Sequence, residues 1–289
     1  MKSYTKKSSL AQTKNLNNLL KTGRAAVAIG HDCLLKHFGR VKKIELKEKS
    51  NYVSQADREC EQLMAHFLKK QNLDIEFLGE ESYFDNLESA PKFGKSKNYI
   101  FEPSNGYRWI LDPLDGTTNF IHGFPLFCIS LGLEFQGEIV LGIIHVPLLN
   151  QTFTAIKNQG AFLNGQRIEV SKKTKLADAF VATGFVNQSK SVLTKQLKLF
   201  DKTVWKMDAV RRGGSAAYDL ALVAQGVFDF YWEENIKPWD IAAGFILVNE
   251  AGGKICDYRG KPVDVFTKQI VAGNPRLVSQ FNRYSKPFA

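Results

Sequence analysis

The run Trp109-Ile110-Leu111-Asp112-Pro113-Leu114-Asp115-Gly116-Thr117-Thr118 gathers residue types that can do chemistry. Its apolar opening reads as the end of a buried strand, after which Asp112 and Asp115 stand either side of a Pro-Leu pair. Two carboxylates therefore emerge together where a strand stops. Gly116 follows, and Thr117 and Thr118 precede an apolar pair, the grammar of a tight turn leading into a helix. The free N–H groups of such a turn, with the helix dipole behind them, form a seat for an anion. Carboxylates for a hard cation beside N–H groups for a phosphate point to metal-assisted phosphoryl chemistry. Taken alone, the same residues also spell an Asp-Pro turn and a capped helix with both aspartates solvated.

Two further segments supply the context. Ile75-Glu76-Phe77-Leu78-Gly79-Glu80-Glu81-Ser82 is a short apolar segment ending in adjacent carboxylates, and Pro238-Trp239-Asp240-Ile241-Ala242-Ala243-Gly244 carries an aspartate into a helix. With all three in view, the chain resembles the inositol monophosphatase family, Mg²⁺-dependent, lithium-sensitive phosphatases of small phosphorylated polyols and nucleotides. The Glu-Glu, Asp-Pro-Leu-Asp-Gly-Thr-Thr and Trp-Asp elements stand in the family's order. The resemblance extends from about Ser50 to Asn274 and is weakest over the first forty or so residues and between Glu88 and Arg108.

Mg²⁺ takes oxygen ligands in octahedral geometry and keeps waters, so its site needs a few carboxylates and a carbonyl. The resemblance implies a first ion on Glu80, Asp112 and the backbone carbonyl of Leu114. A second would share Asp112 and add Asp115 and Asp240, and a third, weaker ion would lean on Glu80 through water. The N–H groups of Gly116 and Thr117 would hold the phosphate. No Cys, Ser or His stands in a covalent-phosphatase motif, and the resemblance implies direct attack by water. Thr117, hydrogen-bonded towards Asp57 and Glu80, would orient that water and help remove its proton. Asp57 and Asp240 also read as helix caps, and Glu81 as a supporting or solvated residue. On the opposite wall Gly214, Ser215 and Ala216 are expected to approach the substrate. Glu233 falls where family members acting on inositol phosphates carry a glutamate for sugar hydroxyls; its other reading is a surface carboxylate at a strand end.

The expected activity is hydrolysis of small polyol or sugar monophosphates, inositol 1-phosphate foremost. Histidinol-phosphate, fructose-1,6-bisphosphate and 3′-phosphoadenosine-5′-phosphate phosphatases use the same metal machinery, and these motifs do not separate them. A second class of function is binding, since bacterial relatives are associated with transcription and ribosomal RNA synthesis. The resemblance also implies a homodimer.

The elements that must position these residues alternate along the chain. Apolar positions from Leu16 to Phe38 recur with helical spacing and predict a long or broken helix ending near Gly39, and a second helix runs through Leu63, Met64 and Phe67 with Asp57 near its start. Strands are expected at 127–135, 139–146 and 152–156, with a hairpin at Asn164-Gly165. The second half reads as a strand at 180–183, a basic amphipathic helix at 192–200, and a strand at 207–211. A helix opened by Gly213-Gly214-Ser215, a strand at 227–232 and a helix at 239–251 complete it. Residues 88–108, rich in Lys, Ser, Pro, Asn and Gly, read as an extended loop. The fold class is α+β, and the resemblance implies a layered α-β-α-β-α sandwich. Residues 1–9 are expected to form a disordered basic segment, and residues 10–289 a single catalytic domain.

At 289 residues and 44% hydrophobic, the chain can bury a sizeable core. No apolar run approaches the roughly 20 residues of a membrane span, and no secretory signal is read, so a cytoplasmic location and no membrane contact are expected. Cys33, Cys60, Cys128 and Cys256 are scattered, and reduced, buried thiols are expected rather than disulfides or zinc ligands. The net charge of +10 is local: residues 1–49 hold 12 Lys or Arg against 3 acids, and the remainder holds 27 against 26. The catalytic body is near neutral, and the basic end reads either as solvated surface or as a contact for RNA or RNA polymerase.

Overall fold

A computed structural model describes residues 2–40, 44–48, 51–71, 75–83, 106–185 and 189–289, with side chains described from residue 15 onward except at 44–48 and 51–53. Helices α1 (Lys2–His37) and α2 (Gln55–Gln71) flank a two-stranded antiparallel ladder, β1 (Ile44–Glu48) with β2 (Asn51–Ser54). A seven-stranded sheet then runs β3 (Glu76–Gly79), β4 (Tyr107–Asp115), β5 (Cys128–Phe135), β6 (Glu138–Val146), β7 (Gln151–Ile156), β8 (Gly160–Leu163) and β9 (Gln166–Ile168), with a one-turn helix, α3 (Thr117–Ile121), between β4 and β5. β3 lies parallel to β4 and each later pair is antiparallel. The second sheet has five strands, β10 (Phe180–Thr183), β11 (Ala209–Arg211), β12 (Phe230–Glu234), β13 (Lys254–Cys256) and β14 (Gln269–Gly273), in the order β11-β10-β12-β14-β13. Helices α4 (Lys190–Val204), α5 (Ala216–Ala224), α6 (Pro238–Glu250) and α7 (Pro275–Ser285) complete the chain.

Alternation along the strands decides the layers. On β4, Trp109 and Leu111 pack with Leu19, Val27 and Met64 of α1 and α2, whereas Ile110 joins Leu220, Ala242 and Leu247 of α5 and α6. Strands buried on both faces are near-continuous apolar runs, which is how β4, β5 and β6 read. The second sheet repeats the device: Tyr231 and Ala272 face α5 and α6, while Phe230 and Val271 pack against Leu199 of α4 and Phe281 of α7. The result is the five-layer α-β-α-β-α stack, with α5 and α6 at its centre. Gly132 and Gly142 pair in register across β5 and β6. A Cβ on Gly132 would lie 2.7 Å from Ala242 Cβ, and one on Gly142 2.7 Å from the Ala243 carbonyl. This bare patch lets α6 lie directly on the sheet and fixes where its N-terminal Asp240 points.

Several expectations shift. β12 starts at Phe230 instead of Val227, because the Val227 and Phe228 amides turn back onto the Leu222 carbonyl and close α5. α4 extends beyond 192–200 at both ends, with Ser189 as its cap. β13, β14 and α7 were not anticipated; α7 is started by Asn274, whose Oδ1 accepts the Arg276 amide at 2.9 Å, with Pro275 next. Most of the 88–108 stretch lies outside the described residues. The backbone of residues 2–9 belongs to α1, and the side chains of that segment lie outside the described residues. The four cysteines are free and buried. Among the described residues no helix is long and apolar enough to cross a membrane.

Candidate active site

Residues three apart on a regular strand face opposite sides of the sheet, which would separate Asp112 from Asp115. Asp112 pairs with Ser130 and Asp115 with Cys128, so three steps along β4 match two along β5. The extra residue is a β-bulge, and it turns both carboxylates to one side. Pro113 sits within the irregular step, where a missing N–H is tolerated. Gly116 then takes φ of 95°, and a Cβ there would lie 3.0 Å from the Leu126 carbonyl. The turn needs glycine for its conformation and for its close packing.

Each carboxylate is fixed by backbone donors. Asp112 Oδ1 accepts the Leu114 amide at 2.9 Å. Asp115 Oδ2 accepts Ser215 Oγ at 2.6 Å and the Ala217 amide at 2.7 Å, so it rests on the start of α5. Asp240 Oδ2 accepts the Lys237 amide at 2.9 Å, the N3-to-cap contact of α6. Asp57 does the same at the start of α2, taking the Ser54 amide at 2.8 Å and the Ser54 hydroxyl at 2.5 Å on Oδ2. Its Oδ1 faces Thr117 Oγ1 at 2.9 Å. Thr117 Oγ1 also stands 3.0 Å from the Leu114 carbonyl, and its single hydrogen serves one acceptor at a time. For Asp57 and Asp240 the helix-cap contact therefore occupies Oδ2, and Oδ1 of Asp57 faces Thr117.

Glu80 opens a helical turn over 80–83, and the residue that anchors the turn is Glu61 of α2. Its carboxylate accepts the Glu81 and Ser82 amides, each at 2.8 Å, and the Ser82 hydroxyl. A Cβ at Gly79 would collide with that carboxylate. Sequence reasoning missed Glu61. The available signal was its position four residues after Asp57, on the same buried face of α2. Glu81 is buried, which excludes the solvated of its two expected states.

Burial and mutual repulsion dominate the electrostatics. Asp112 is pushed well above the usual carboxylate range by desolvation and then by Glu80, Asp115 and Asp240. Asp240 moves the same way, through desolvation, Asp115 and Glu80. Asp115 rises to about 6, burial outweighing the bonds from Ser215 and Ala217. Asp57 also rises to about 6, chiefly by burial. Three buried aspartates beside Glu80, with a main-chain carbonyl next to them, form an all-oxygen donor set suited to Mg²⁺. Among the described residues, ligand atoms within 4.8 Å of one another occur between α1 and α2, at Cys33, His37 and Glu59.

The opposite wall comes from β12 and the loop before α5. Tyr231 donates its hydroxyl to Glu233, and a Cβ at Gly184 would collide with the Glu233 carboxylate. Glu233 is raised to about 7, first by desolvation, against the lowering influence of Tyr231 and Arg212. Gly214 takes φ of 82°, and Ser215 and the Ala216–Ala217 amides turn onto Asp115. Asn119 joins the two walls, donating to the Leu126 carbonyl at 2.6 Å and the Gly213 carbonyl at 2.9 Å. The predicted residues thus converge from α2, the 80–83 turn, β4, α3, the 212–217 loop, β12 and α6.

The sequence profile of the inositol monophosphatase family matches residues 15–286. The inositol-1-monophosphatase of Rhizobium meliloti is 39% identical over 246 residues, 84% of this chain and 87% of that one. The fructose-1,6-bisphosphatase/inositol-1-monophosphatase of Aquifex aeolicus is 35% identical over 91% of this chain and 94% of its own. The Nus factor SuhB of Pseudomonas aeruginosa is 35% identical over 90% and 92%. Among solved structures, the extragenic suppressor protein suhB of Bartonella henselae superposes with a TM-score of 0.82 at 37% identity, covering 93% of this chain and 98% of that one.

Proposed function

The chain belongs to the inositol monophosphatase family and is a phosphatase of that family; we propose that it is Mg²⁺-dependent and hydrolyses small polyol or sugar monophosphates, inositol 1-phosphate foremost. The observation that carries this reading is the bulge that turns Asp112 and Asp115 to one side, next to Thr117 bonded to Asp57. Glu80, Asp112 and the Leu114 carbonyl would hold one Mg²⁺, and Asp112, Asp115 and Asp240 a second. Bound there, Mg²⁺ supplies Lewis-acid stabilisation of the phosphate and a lowered pKa for water.

The remaining work falls to the chain's own groups. With its hydrogen directed to Asp57 Oδ1, Thr117 Oγ1 turns a lone pair outward and accepts a hydrogen bond from the attacking water. Proton transfer then runs from water to Thr117 Oγ1 as the threonine proton passes to Asp57. The backbone N–H groups of Gly116 and Thr117 receive the phosphate. Glu233 accepts hydrogen bonds from polyol hydroxyls on the far wall, and Gly214, Ser215 and Ala216 line the approach.

A panel of phosphate esters assayed with and without Mg²⁺ tests the proposal. Inositol 1-phosphate should give the highest kcat/KM, and activity should vanish in chelator and fall in millimolar lithium. Full turnover in excess chelator would end the metal reading. The name of the Aquifex relative favours fructose 1,6-bisphosphate as the second substrate to assay. The name of the Pseudomonas relative and the basic residues 1–49 favour an additional salt-sensitive contact with RNA or RNA polymerase. Deleting residues 1–9 should weaken that contact and leave turnover of the 10–289 catalytic domain within a few-fold. Homodimerisation and a cytoplasmic location complete the proposal on family membership.

A further inference from the structure

The contact between α1 and α2 holds a second set of ligating groups outside the phosphatase pocket. Cys33 and His37 stand four residues apart on α1, hence on one face, and Glu59 meets them from α2. His37 Nε2 lies 2.9 Å from Glu59 Oε2, while Lys36 Nζ lies 2.9 Å from the other oxygen, Oε1. Ligand atoms of Cys33, His37 and Glu59 all lie within 4.8 Å of one another. Cys33 is buried, whereas His37 and Glu59 are half-buried, so the group has a core side and a solvent side.

The donor types discriminate sharply between metals. A thiolate, an imidazole and a carboxylate suit Zn²⁺, whereas Mg²⁺ prefers oxygen alone. With zinc bonds of about 2.0–2.3 Å, tetrahedral ligand atoms stand roughly 3.3–3.8 Å apart. Closing the group therefore takes side-chain movement on the order of an ångström. A bound transition-metal cation itself favours the thiolate over the thiol at Cys33. Lys36 can keep Glu59 Oε1 while Oε2 turns to the metal.

We propose that Cys33, His37 and Glu59 form a transition-metal site, selective for Zn²⁺ over Mg²⁺, that clamps α1 onto α2. Three protein ligands leave the fourth position to solvent water. Binding releases the thiol proton to the buffer, and the hydrogen between His37 Nε2 and Glu59 Oε2 is carried on Nδ1 after a change of imidazole tautomer, which frees Nε2 and Oε2 for the metal. Sequence spacing concealed the group because its ligands lie on two helices and include only one cysteine, which is why a zinc role was not expected.

The test uses the full chain, freed of metal with a chelator, dialysed, and held in millimolar Mg²⁺ to occupy the oxygen-donor site. Co²⁺ is titrated as the spectroscopic probe, and Zn²⁺ by calorimetry. The expected result is one Zn²⁺ per chain, a thiolate-to-Co²⁺ charge-transfer band, and a higher melting temperature with Zn²⁺. Cys33→Ser should abolish the band, and Glu59→Gln, a change at a half-exposed position that should preserve the fold, should weaken Zn²⁺ binding by about tenfold or more. Asp112→Asn should leave both signals intact. Absence of the band in the unaltered protein overturns the proposal, as does a band that survives Cys33→Ser, Zn²⁺ affinity unchanged in Glu59→Gln, or loss of both signals in Asp112→Asn.

Discussion

The Glu61 carboxylate receives the Glu81 amide at 2.8 Å, so a buried acid on α2 fixes the turn that presents Glu80. Because the same carboxylate also takes the Ser82 amide and hydroxyl, its two oxygens are both committed. Glu61→Gln replaces one acceptor with an NH₂ that confronts an N–H, and the change should cost about 1–3 kcal/mol of stability. It should also raise the Mg²⁺ concentration for half-maximal activity, since Glu80 loses its anchor. A lower melting temperature with an unchanged Mg²⁺ dependence would show that Glu61 supports only the fold.

Asp112 separates catalytic need from stability. It faces Glu80, Asp115 and Asp240, and its own geometry depends on one amide bond to Oδ1. Asparagine can preserve that bond through its carbonyl oxygen while removing a buried carboxyl whose charged form burial and its neighbours disfavour. Asp112→Asn should therefore melt at or above the parent temperature in chelator, yet lose Mg²⁺-dependent turnover by orders of magnitude. Near-normal turnover in this variant would place the phosphatase site elsewhere, and a large drop in melting temperature would contradict the repulsion argument.

The His31–His145 pair gives a pH dependence of stability unrelated to the metal site. His145 Nε2 lies 2.8 Å from His31 Nδ1, and its Nδ1 lies 2.9 Å from Thr152 Oγ1. Burial, and then the neighbouring His31, lowers His145 from 6.5 to about 4. At His145 the unfolded chain binds more protons between pH 6.5 and about 4, so this residue's contribution to stability rises with pH through that window and is lost on acidification, opposite in sign to the contributions of the raised Asp57 and Asp115 carboxyls. Melting curves of the parent and of His145→Gln compared across this range isolate the contribution: the parent should lose more stability on acidification than the variant does. An unchanged slope in His145→Gln would assign the acid sensitivity to other groups.

What could be read from the sequence follows the range of each signal. Local signals carried well: Asn164-Gly165 adopts the paired positive φ values of 48° and 84° expected of its hairpin turn. The three acidic segments also emerge in one pocket. Hidden relationships depend on register and on helix-to-helix contact. The bulge between Asp112 and Asp115 becomes visible only when β4 is paired with β5, and Glu61 acquires its purpose only when α2 lies beside the 80–83 turn. α7 had a local signal, the Asn274-Pro275 start, that went unread. For Asp57 and Asp240 the helix-cap contact engages Oδ2, and at Asp57 it coexists with the Oδ1 bond from Thr117.

Substrate choice tests Glu233. Tyr231 donates to this carboxylate, and burial raises it to about 7 against the influence of Arg212. It is therefore ionised above about pH 7 and protonated below, and only the ionised form offers both oxygens to neighbouring hydroxyls. KM for inositol 1-phosphate should rise as pH falls through 7, while p-nitrophenyl phosphate, which has no polyol ring, should show little of this dependence. Glu233→Gln should raise KM for inositol 1-phosphate by roughly 5- to 150-fold, the equivalent of about 1–3 kcal/mol for the lost acceptor. Its effect on kcat should be smaller, because the phosphate is gripped on the other wall, and the KM inflection near pH 7 should disappear. Equal losses on both esters would make Glu233 a support for the metal site or the fold, and no loss on either would shift the preferred substrate away from inositol phosphate.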